Sequence, residues 1–298
     1  MNVLLLRSPT SDVPDRYEVA FRTHGYSPIS APVLETTLVH LEQLASKIDD
    51  GPSVHRFTGV VVTSKRSIEA WNRAVDCIVT RSRENDVVRE VGSGGEDETS
   101  WAPIPFYILG DVTAGAAREL RKRLPHGLGP MDVRGGLGAG SAEQLARVIL
   151  EDGDVSGSKK MLYLTGDKNR DTMSKMLTQG GVEMEELQVY ETCGSSTFAH
   201  DLEDALRKAE SAGAWGWIVF FAPSAARHVY PALCDRFFFR RLDDTGGTEI
   251  AKVAAIGPTT ASFLREEMGL RVDVVAPKPN PAELANTIAA FDSPIPSV

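Results

Sequence analysis

The chain has 298 residues, 42% hydrophobic and 24% charged, the make-up of an ordinary globular protein long enough for about two domains. Its 32 basic and 41 acidic residues leave a net charge of −9, which excludes a general attraction to nucleic acid or to an anionic membrane surface; a polyanionic ligand would need a locally basic cleft. The three cysteines, Cys77, Cys193 and Cys234, lie far apart and give neither a disulfide framework nor a metal-ligand spacing, and no apolar run approaches the roughly 18 residues of a membrane span.

Taken in order, Val3 to Leu6 is a short apolar run suited to a fully buried parallel strand, and Asp15 to His24 carries apolar residues at helical spacing until Gly25 closes it. Ile29 to Thr36 reads as one strand leaving through Leu34-Glu35-Thr36. A helix over Thr37 to Ile48 is followed by a strand, Gly59 to Val62, that runs through Thr63-Ser64-Lys65-Arg66 into another helix. Thr80 to Ser100 is polar, acidic and Gly-rich, and is expected to be a mobile surface loop. Phe106 to Leu109 is again a strand, with Gly110-Asp111-Val112-Thr113-Ala114 forming a tight turn and the start of a helix. Asp132-Val133 is a short strand, and Ser141-Ala142-Glu143-Gln144 fits a capping box at the next helix.

The second half echoes the first. Met161 to Leu164, a helix near Asp171 to Gln179, the stop Gly180-Gly181 and the strand Glu186 to Tyr190 repeat the opening unit, down to an exit through Tyr190-Glu191-Thr192. Trp217 to Val229, with Phe220-Phe221-Ala222-Pro223-Ser224 at its turn, answers Gly59 to Trp71. Ala254-Ala255-Ile256-Gly257-Pro258-Thr259-Thr260-Ala261 answers Phe106 to Ala114, and the copies share Gly110/Gly257, Thr113/Thr260, Ala114/Ala261, Arg118/Arg265 and Glu119/Glu266. Arg240 to Glu249 is a second expected surface loop; Asp273-Val274 and a helix opened by Asn280-Pro281-Ala282-Glu283 complete the pattern. Alternating strands and helices with Val, Ile and Leu runs indicate two doubly wound α/β domains with parallel sheets.

In such sheets ligands bind beyond the carboxyl ends of the strands. Thr63, Ser64, Lys65 and Arg66, Gly110 to Thr113 with Ala114, Gly166 to Arg170, Pro223 and Ser224, and Gly257 to Thr260 all fall there. Small residues, hydroxyls and the N–H groups of helix starts suit an anion, with Lys65, Arg66, Lys168 and Arg170 adding charge, so a ligand bearing many carboxylates is indicated. The histidines (His24, His40, His55, His126, His200, His228) show no metal spacing, and no Ser-His-Asp arrangement can be argued. Gly135-Gly136-Leu137-Gly138-Ala139-Gly140 fails the dinucleotide pattern, because Ser141 stands where its last glycine is needed.

These residues resemble the uroporphyrinogen-III synthase family across most of the chain. The likeness rests on Thr63-Ser64 with Arg66, Leu109-Gly110 with Thr113-Ala114, Gly166 with Arg170, Val189-Tyr190-Glu191-Thr192, Phe220-Phe221-Ala222-Pro223-Ser224, and Ile256-Gly257-Pro258-Thr259-Thr260-Ala261, in the family's order. It departs where the family often has Ser for Ala222 and Pro for Lys65. The resemblance implies two flavodoxin-like domains joined by a two-stranded linker: residues 1–35 with 193–298 as one, and 36–192 as the other with a flexible loop at 80–100.

It also implies an activity. Hydroxymethylbilane, the small-molecule substrate, would be closed to uroporphyrinogen III with inversion of ring D and loss of water, in heme biosynthesis. Tyr190 would be the general acid; an ordinary phenol, with a pKa of about 10, is protonated at neutral pH, and the corresponding residue of the first copy is Leu34. Thr63, Ser64, Arg66, Gly110, Thr113, Ala114, Gly166, Lys168, Arg170, Pro223, Ser224, Gly257, Pro258, Thr259 and Thr260 would hold the substrate. No cofactor, metal, nucleic acid or membrane partner is expected, although the preceding pathway enzyme could hand over its product transiently. Asp12, Asp15 and Glu18 near the start are unlike a transit peptide, so a cytoplasmic location is expected, and nothing in the sequence demands more than a monomer. The fold alone also permits a non-catalytic two-domain clamp for a tetrapyrrole or other polycarboxylate; Tyr190 and the paired Gly-x-x-Thr-Ala turns favour the enzyme.

Overall fold

Strands buried along their whole length need cover on both faces, and that need organises this chain. The computed structural model describes residues 1–10, 14–84, 99–125, 127–152, 159–209, 214–242 and 251–293. It opens with β1 (Asn2–Leu6), α1 (Arg16–Thr23), β2 (Ser27–Ala31) and β3 (Leu34–Leu38), then α2 (Leu41–Asp50) and the single turn α3 (Pro52–His55). Strands and helices alternate from there: β4 (Gly59–Val62), α4 (Lys65–Glu84), β5 (Pro105–Leu109), α5 (Asp111–Arg121), β6 (Asp132–Gly136), α6 (Ala142–Glu151), β7 (Lys160–Gly166), α7 (Thr172–Gln179) and β8 (Glu183–Gly194). The rest is α8 (Phe198–Ala209), β9 (Trp215–Phe220), α9 (Pro223–Cys234), β10 (Lys252–Ala255), α10 (Pro258–Glu266), β11 (Val274–Val275) and α11 (Pro281–Asp292). Every residue of β1 and β4 is buried.

One sheet runs β11-β10-β9-β1-β2, parallel at each pair, with Leu4 opposite both Ile29 and Ile218. Numbered along the chain, that is the 2-1-3-4-5 order of flavodoxin-like doubly wound folds. The other sheet runs β3-β8-β7-β4-β5-β6. Beyond β3 it has the same order, with β7 and β8 in the places of β1 and β2, so its connectivity is a circular permutation of the first. Two compact units result, Met1–Glu35 with Cys193–Val298, and Thr36–Thr192. The chain changes unit within β3 and β8, which are neighbours; Val39 N–H donates to Val189 O at 3.0 Å and Ser195 N–H to Val33 O at 3.0 Å.

Several elements depart from the sequence expectation. The single strand expected over Ile29 to Thr36 is two strands in different sheets, split at Pro32, which has no N–H to give a ladder. The helix expected from Thr37 starts at Leu41, because Thr37 and Leu38 are held in β3 and His40 takes a left-handed φ of 52°. The loop expected at 80–100 begins as helix: Thr80 Oγ1 donates to Asp76 O at 2.9 Å and Ser82 Oγ to Ile78 O at 3.0 Å on the last turns of α4, while residues 85–98 lie outside the described residues. Of the second expected loop, Arg240 O accepts from Arg271 N–H at 2.9 Å and Arg241 bridges Leu270; residues 243–249 lie outside the described ones, as does His126. Both expected helix caps form: Ser141 and Gln144 make the reciprocal capping box, and Asn280 accepts from Glu283 N–H at 2.9 Å.

In the unit of Thr36–Thr192 the ring of Trp71 meets Trp101 (5.0 Å) and Phe106 (4.9 Å) edge-on, and the indole N–H groups donate to Leu128 O and Ile48 O at 2.8 and 2.9 Å. In the other unit Leu4, Leu6, Ile218 and Phe220 cover one sheet face and Val3, Leu5, Trp217 and Val219 the other. Helices α6 and α11 occupy the same place in their units, and an aspartate at the carboxyl end of each, Asp152 or Asp292, pins the amino edge of the sheet. Asp152 accepts from Tyr107 Oη at 2.8 Å and pairs with Arg134. Asp292 accepts from Tyr26 Oη (2.7 Å) and Trp217 Nε1 (2.8 Å) and pairs with Lys252. Burial raises the Asp292 carboxyl, but the hydrogen bonds from Lys252, Trp217 and Tyr26 outweigh it and hold the group below the ordinary carboxylate value.

Replacing Asp292 by Asn is expected to lower the unfolding free energy at pH 7 by about 1–3 kcal/mol, read as a lower urea midpoint. Because the folded carboxyl titrates below its unfolded value of about 4, its stabilisation is complete above that value and is lost as the pH falls through the folded one. The Asn variant should therefore show a flatter loss of stability in acid than the parent.

Candidate functional site

In the 2-1-3-4-5 order the loops leaving the two central strands diverge to opposite faces, opening a crevice at their carboxyl ends. In the unit of Thr36–Thr192 those strands are β7 and β4, and Tyr190, Gly166, Thr63, Ser64 and Arg66 converge there. The pairing of β7 with β8 is regular up to Thr165 opposite Gln188, then skips Val189 to set Gly166 opposite Tyr190. Such a bulge re-aims a side chain. It lays the Tyr190 ring over Gly166, where a Cβ would come within 2.3 Å of the ring and 2.8 Å of the phenol oxygen. Asp167 N–H donates to Tyr190 O at 3.2 Å, fixing the turn beneath. Tyr190 is half-buried against the core, and the guanidinium of Arg66 stands 5.8 Å from its ring centroid.

The neighbours have defined tasks. Ser64 Oγ accepts from the backbone N–H of Arg66 at 3.2 Å, so this hydroxyl caps the first turn of α4. Ser67 Oγ donates to Leu164 O at 3.1 Å and ties α4 to β7. Thr63 is half-buried directly after β4; the phenol of Tyr163 donates to Asn169 Oδ1 at 2.9 Å, and burial pushes that phenol above its ordinary value. Lys168 and Arg170 are exposed on the loop after β7 and form no ion pair within 4.0 Å among the described residues.

The paired Gly-x-x-Thr-Ala turns are alike in sequence and unlike in conformation. Gly110 sits at φ 76°, where a side chain is strained, and its N–H donates to Ala139 O at 3.0 Å, so that donor is already used. Gly257 is extended, at φ −178°. Thr113 and Thr260 are 8% and 4% exposed, with hydroxyls that meet no described partner, whereas Ala114 is fully buried beneath Gly136 and serves packing. Pro258 and Thr259 are exposed at the start of α10, as is Ser224 in the first turn of α9, where Pro223 is half-buried.

A charged cluster at the matching crevice of the other unit was missed. Arg7, directly after β1, is 3.0 Å from Asp15 and stacks 4.6 Å from the Tyr17 ring and 5.6 Å from Phe221. Asp15 also accepts from Thr10 N–H (2.6 Å), Tyr17 N–H (2.9 Å) and Glu18 N–H (3.1 Å); burial raises its carboxyl, but these bonds and Arg7 prevail and hold it well below the carboxylate range. The signal was a lone cation ending an apolar strand. Among the described residues no cluster of three or more His, Cys, Asp or Glu side chains could hold a metal, and no helix is long and apolar enough to cross a membrane.

Two doubly wound sheets of one strand order, with hydroxyls, a guanidinium and a phenol at their carboxyl edges, define a two-module α/β protein whose crevices suit an anionic small molecule. The family model described as uroporphyrinogen-III synthase HemD matches residues 15–286, and the chain belongs to the uroporphyrinogen-III synthase family. The uroporphyrinogen-III synthase of Saccharomyces cerevisiae is 26% identical over 300 residues, covering 98% of this chain and 96% of its own. That of Schizosaccharomyces pombe is 29% identical over 297 residues and covers 98% of each. A solved uroporphyrinogen-III synthetase from Helicobacter pylori 26695 matches with a TM-score of 0.42 and 17% identity over 97% of this chain and 99% of that one.

Because Gly166 lacks a positive φ, what an alanine there meets first is the Tyr190 ring, whose atoms are the three nearest to its Cβ. Gly166→Ala is expected to cost about 1–3 kcal/mol of stability, as overpacking does, and less than about 0.5 kcal/mol in a Tyr190→Ala background, as read by a double-mutant denaturation cycle.

Proposed function

We propose that this protein closes hydroxymethylbilane to uroporphyrinogen III, with inversion of ring D and loss of water, in heme biosynthesis. The observation that carries the reading is the Tyr190 phenol, bulged over Gly166 beside Arg66 with a hydroxyl that meets no described partner. In this proposal Tyr190 donates its proton to the hydroxyl leaving the ring A methylene as water, and an electrophilic azafulvene remains. Arg66 supplies positive charge near the oxygen that becomes negative. Ring D then attacks through its substituted carbon to give a spirocyclic pyrrolenine, which fragments and recloses as the type III isomer; the proton shed on final rearomatisation restores the phenol.

The bilane closes unaided to type I, so the protein must also fix one reactive pose, and positioning of this kind can supply several kcal/mol. The partly buried hydroxyls of Thr113 and Thr260, with Ser224, Thr259, Lys168 and Arg170, would hold the acidic side arms. We take the two compact units as the family's two domains. A single chain carries the whole candidate set, which supports a monomeric enzyme, and a cytoplasmic location completes the proposal.

The test adds freshly generated hydroxymethylbilane with and without protein and separates the oxidised products into type I and type III uroporphyrin. Predominant type III is the expected result; type I alone, at the rate of the blank, would leave a non-catalytic clamp. Tyr190→Phe should lower kcat by about 10²- to 10⁴-fold with little change in KM, and an unchanged turnover number would sink its role. Thr113→Ala and Thr260→Ala should act mainly on KM, by roughly three- to tenfold each.

A further inference from the structure

A groove in the unit of Met1–Glu35 and Cys193–Val298 holds, beside Ser224, two side chains that the roles above do not use, Arg227 and Phe263. Between α9 and α10, Pro223, Ser224, Arg227, His228 and Phe263 line a surface concavity of about 520 Å³. The fold makes such a groove in both units, since α4 and α5 stand in the other as α9 and α10 do here, and Lys65, Glu69, Ala116, Glu119 and Arg123 are among its lining. The linings differ. Strand register makes Val62 the counterpart of Phe220, so Arg227 answers Glu69; the repeated turns make Phe263 the counterpart of Ala116.

Lys65 and Arg123 are offset by Glu69 and Glu119 in the one groove, while the other presents a guanidinium 5.2 Å from the Phe263 ring centroid. Among the described residues the acid paired with it, Glu267, lies at 4.0 Å, with the two side chains 73% and 63% exposed. An exposed pair at that distance contributes little and is readily displaced. A cation steadied on an aromatic face, one turn below the Ser224 hydroxyl at the start of α9, is disposed to receive a carboxylate from solution.

We propose that this groove binds one acidic arm of the substrate, an acetate or propionate carboxylate, through Arg227, with Phe263 steadying the guanidinium and Glu267 competing for it. The assignment rests on the hydroxymethylbilane reading. It makes Arg227 a residue that sets affinity on one unit only, which helps to distinguish the two ends of a chain of similar rings.

Initial rates of type III formation, measured across hydroxymethylbilane concentrations for the parent, Arg227→Gln, Arg227→Lys, Glu267→Gln and Arg227→Gln with Glu267→Gln, test it. Arg227→Gln should raise KM about three- to tenfold with kcat within about twofold, Arg227→Lys should fall between, and Glu267→Gln should lower KM. In the double variant the gain from Glu267→Gln should vanish. A KM for Arg227→Gln within about twofold of a parent that makes type III overturns the assignment alone, as does a Glu267→Gln effect that persists without Arg227. A KM rise that tracks a lower thermal midpoint, equal for Gln and Lys, shows a structural residue and overturns it too. A parent that yields only type I overturns the functional reading and this assignment together.

Discussion

Keeping two central strands dry is the constraint on which the rest depends. β1 and β7 each lie between two parallel neighbours and bury nearly all of their side chains; each leucine so buried contributes about 1.5–3 kcal/mol. The neighbour of β1 on one side is β9, so the first strand of the chain completes a sheet whose remaining strands come from its far end. The inserted unit must then fill the places of β1 and β2 with β7 and β8, the last strands in its order, and the circular permutation follows. Both crevices open beside these strands, which is why Arg7 ends β1 and Gly166 ends β7.

The repeat supplies two similar scaffolds, and the chemistry resides in their differences. Through strand register Tyr190 answers Leu34, Gly166 answers Ser8, and Arg66 answers Ser224. One crevice carries a phenol on a glycine floor. Its counterpart carries an Arg7–Asp15 pair braced by backbone N–H groups, which rigidifies the start of α1 and leaves that arginine committed. In the proposed reaction a single departing hydroxyl would need one acid, and the scaffold is duplicated here without its tyrosine.

The sheets were legible because they depend on composition and period. Val, Ile and Leu runs separated by helices of 3.6 periodicity report burial on both faces, and the internal repeat disclosed which strands play the same part. Boundaries were lost where tertiary pairing overrides local preference: β2 and β3 read as one strand because neither Ile29 nor Thr36 shows that Pro32 sends the chain to another sheet. The end of α4 read as loop because Thr80 to Glu84 is polar, although polar residues also continue an exposed helical face. At the site, the hydroxyl-bearing turns came from the internal repeat and Tyr190 through the family likeness, while the β8 bulge, the donor of Gly110 spent on Ala139 and the committed Arg7 are matters of pairing that no single segment encodes.

The sparing use of charge has a catalytic logic. Cations that gripped every carboxylate would bind substrate, transition state and product alike, which lowers KM without raising kcat. Here the net charge is −9. Ionic screening limits that repulsion to about 8 Å at physiological salt, so only groups at the crevice edge decide the encounter. In the proposed reaction Thr113 and Thr260 would each offer a neutral donor on its own unit, and Arg66 would stand by the phenol oxygen that becomes negative during proton transfer. A site built on these terms favours the reacting geometry over the bound ground state, and steering toward a single isomer demands that preference.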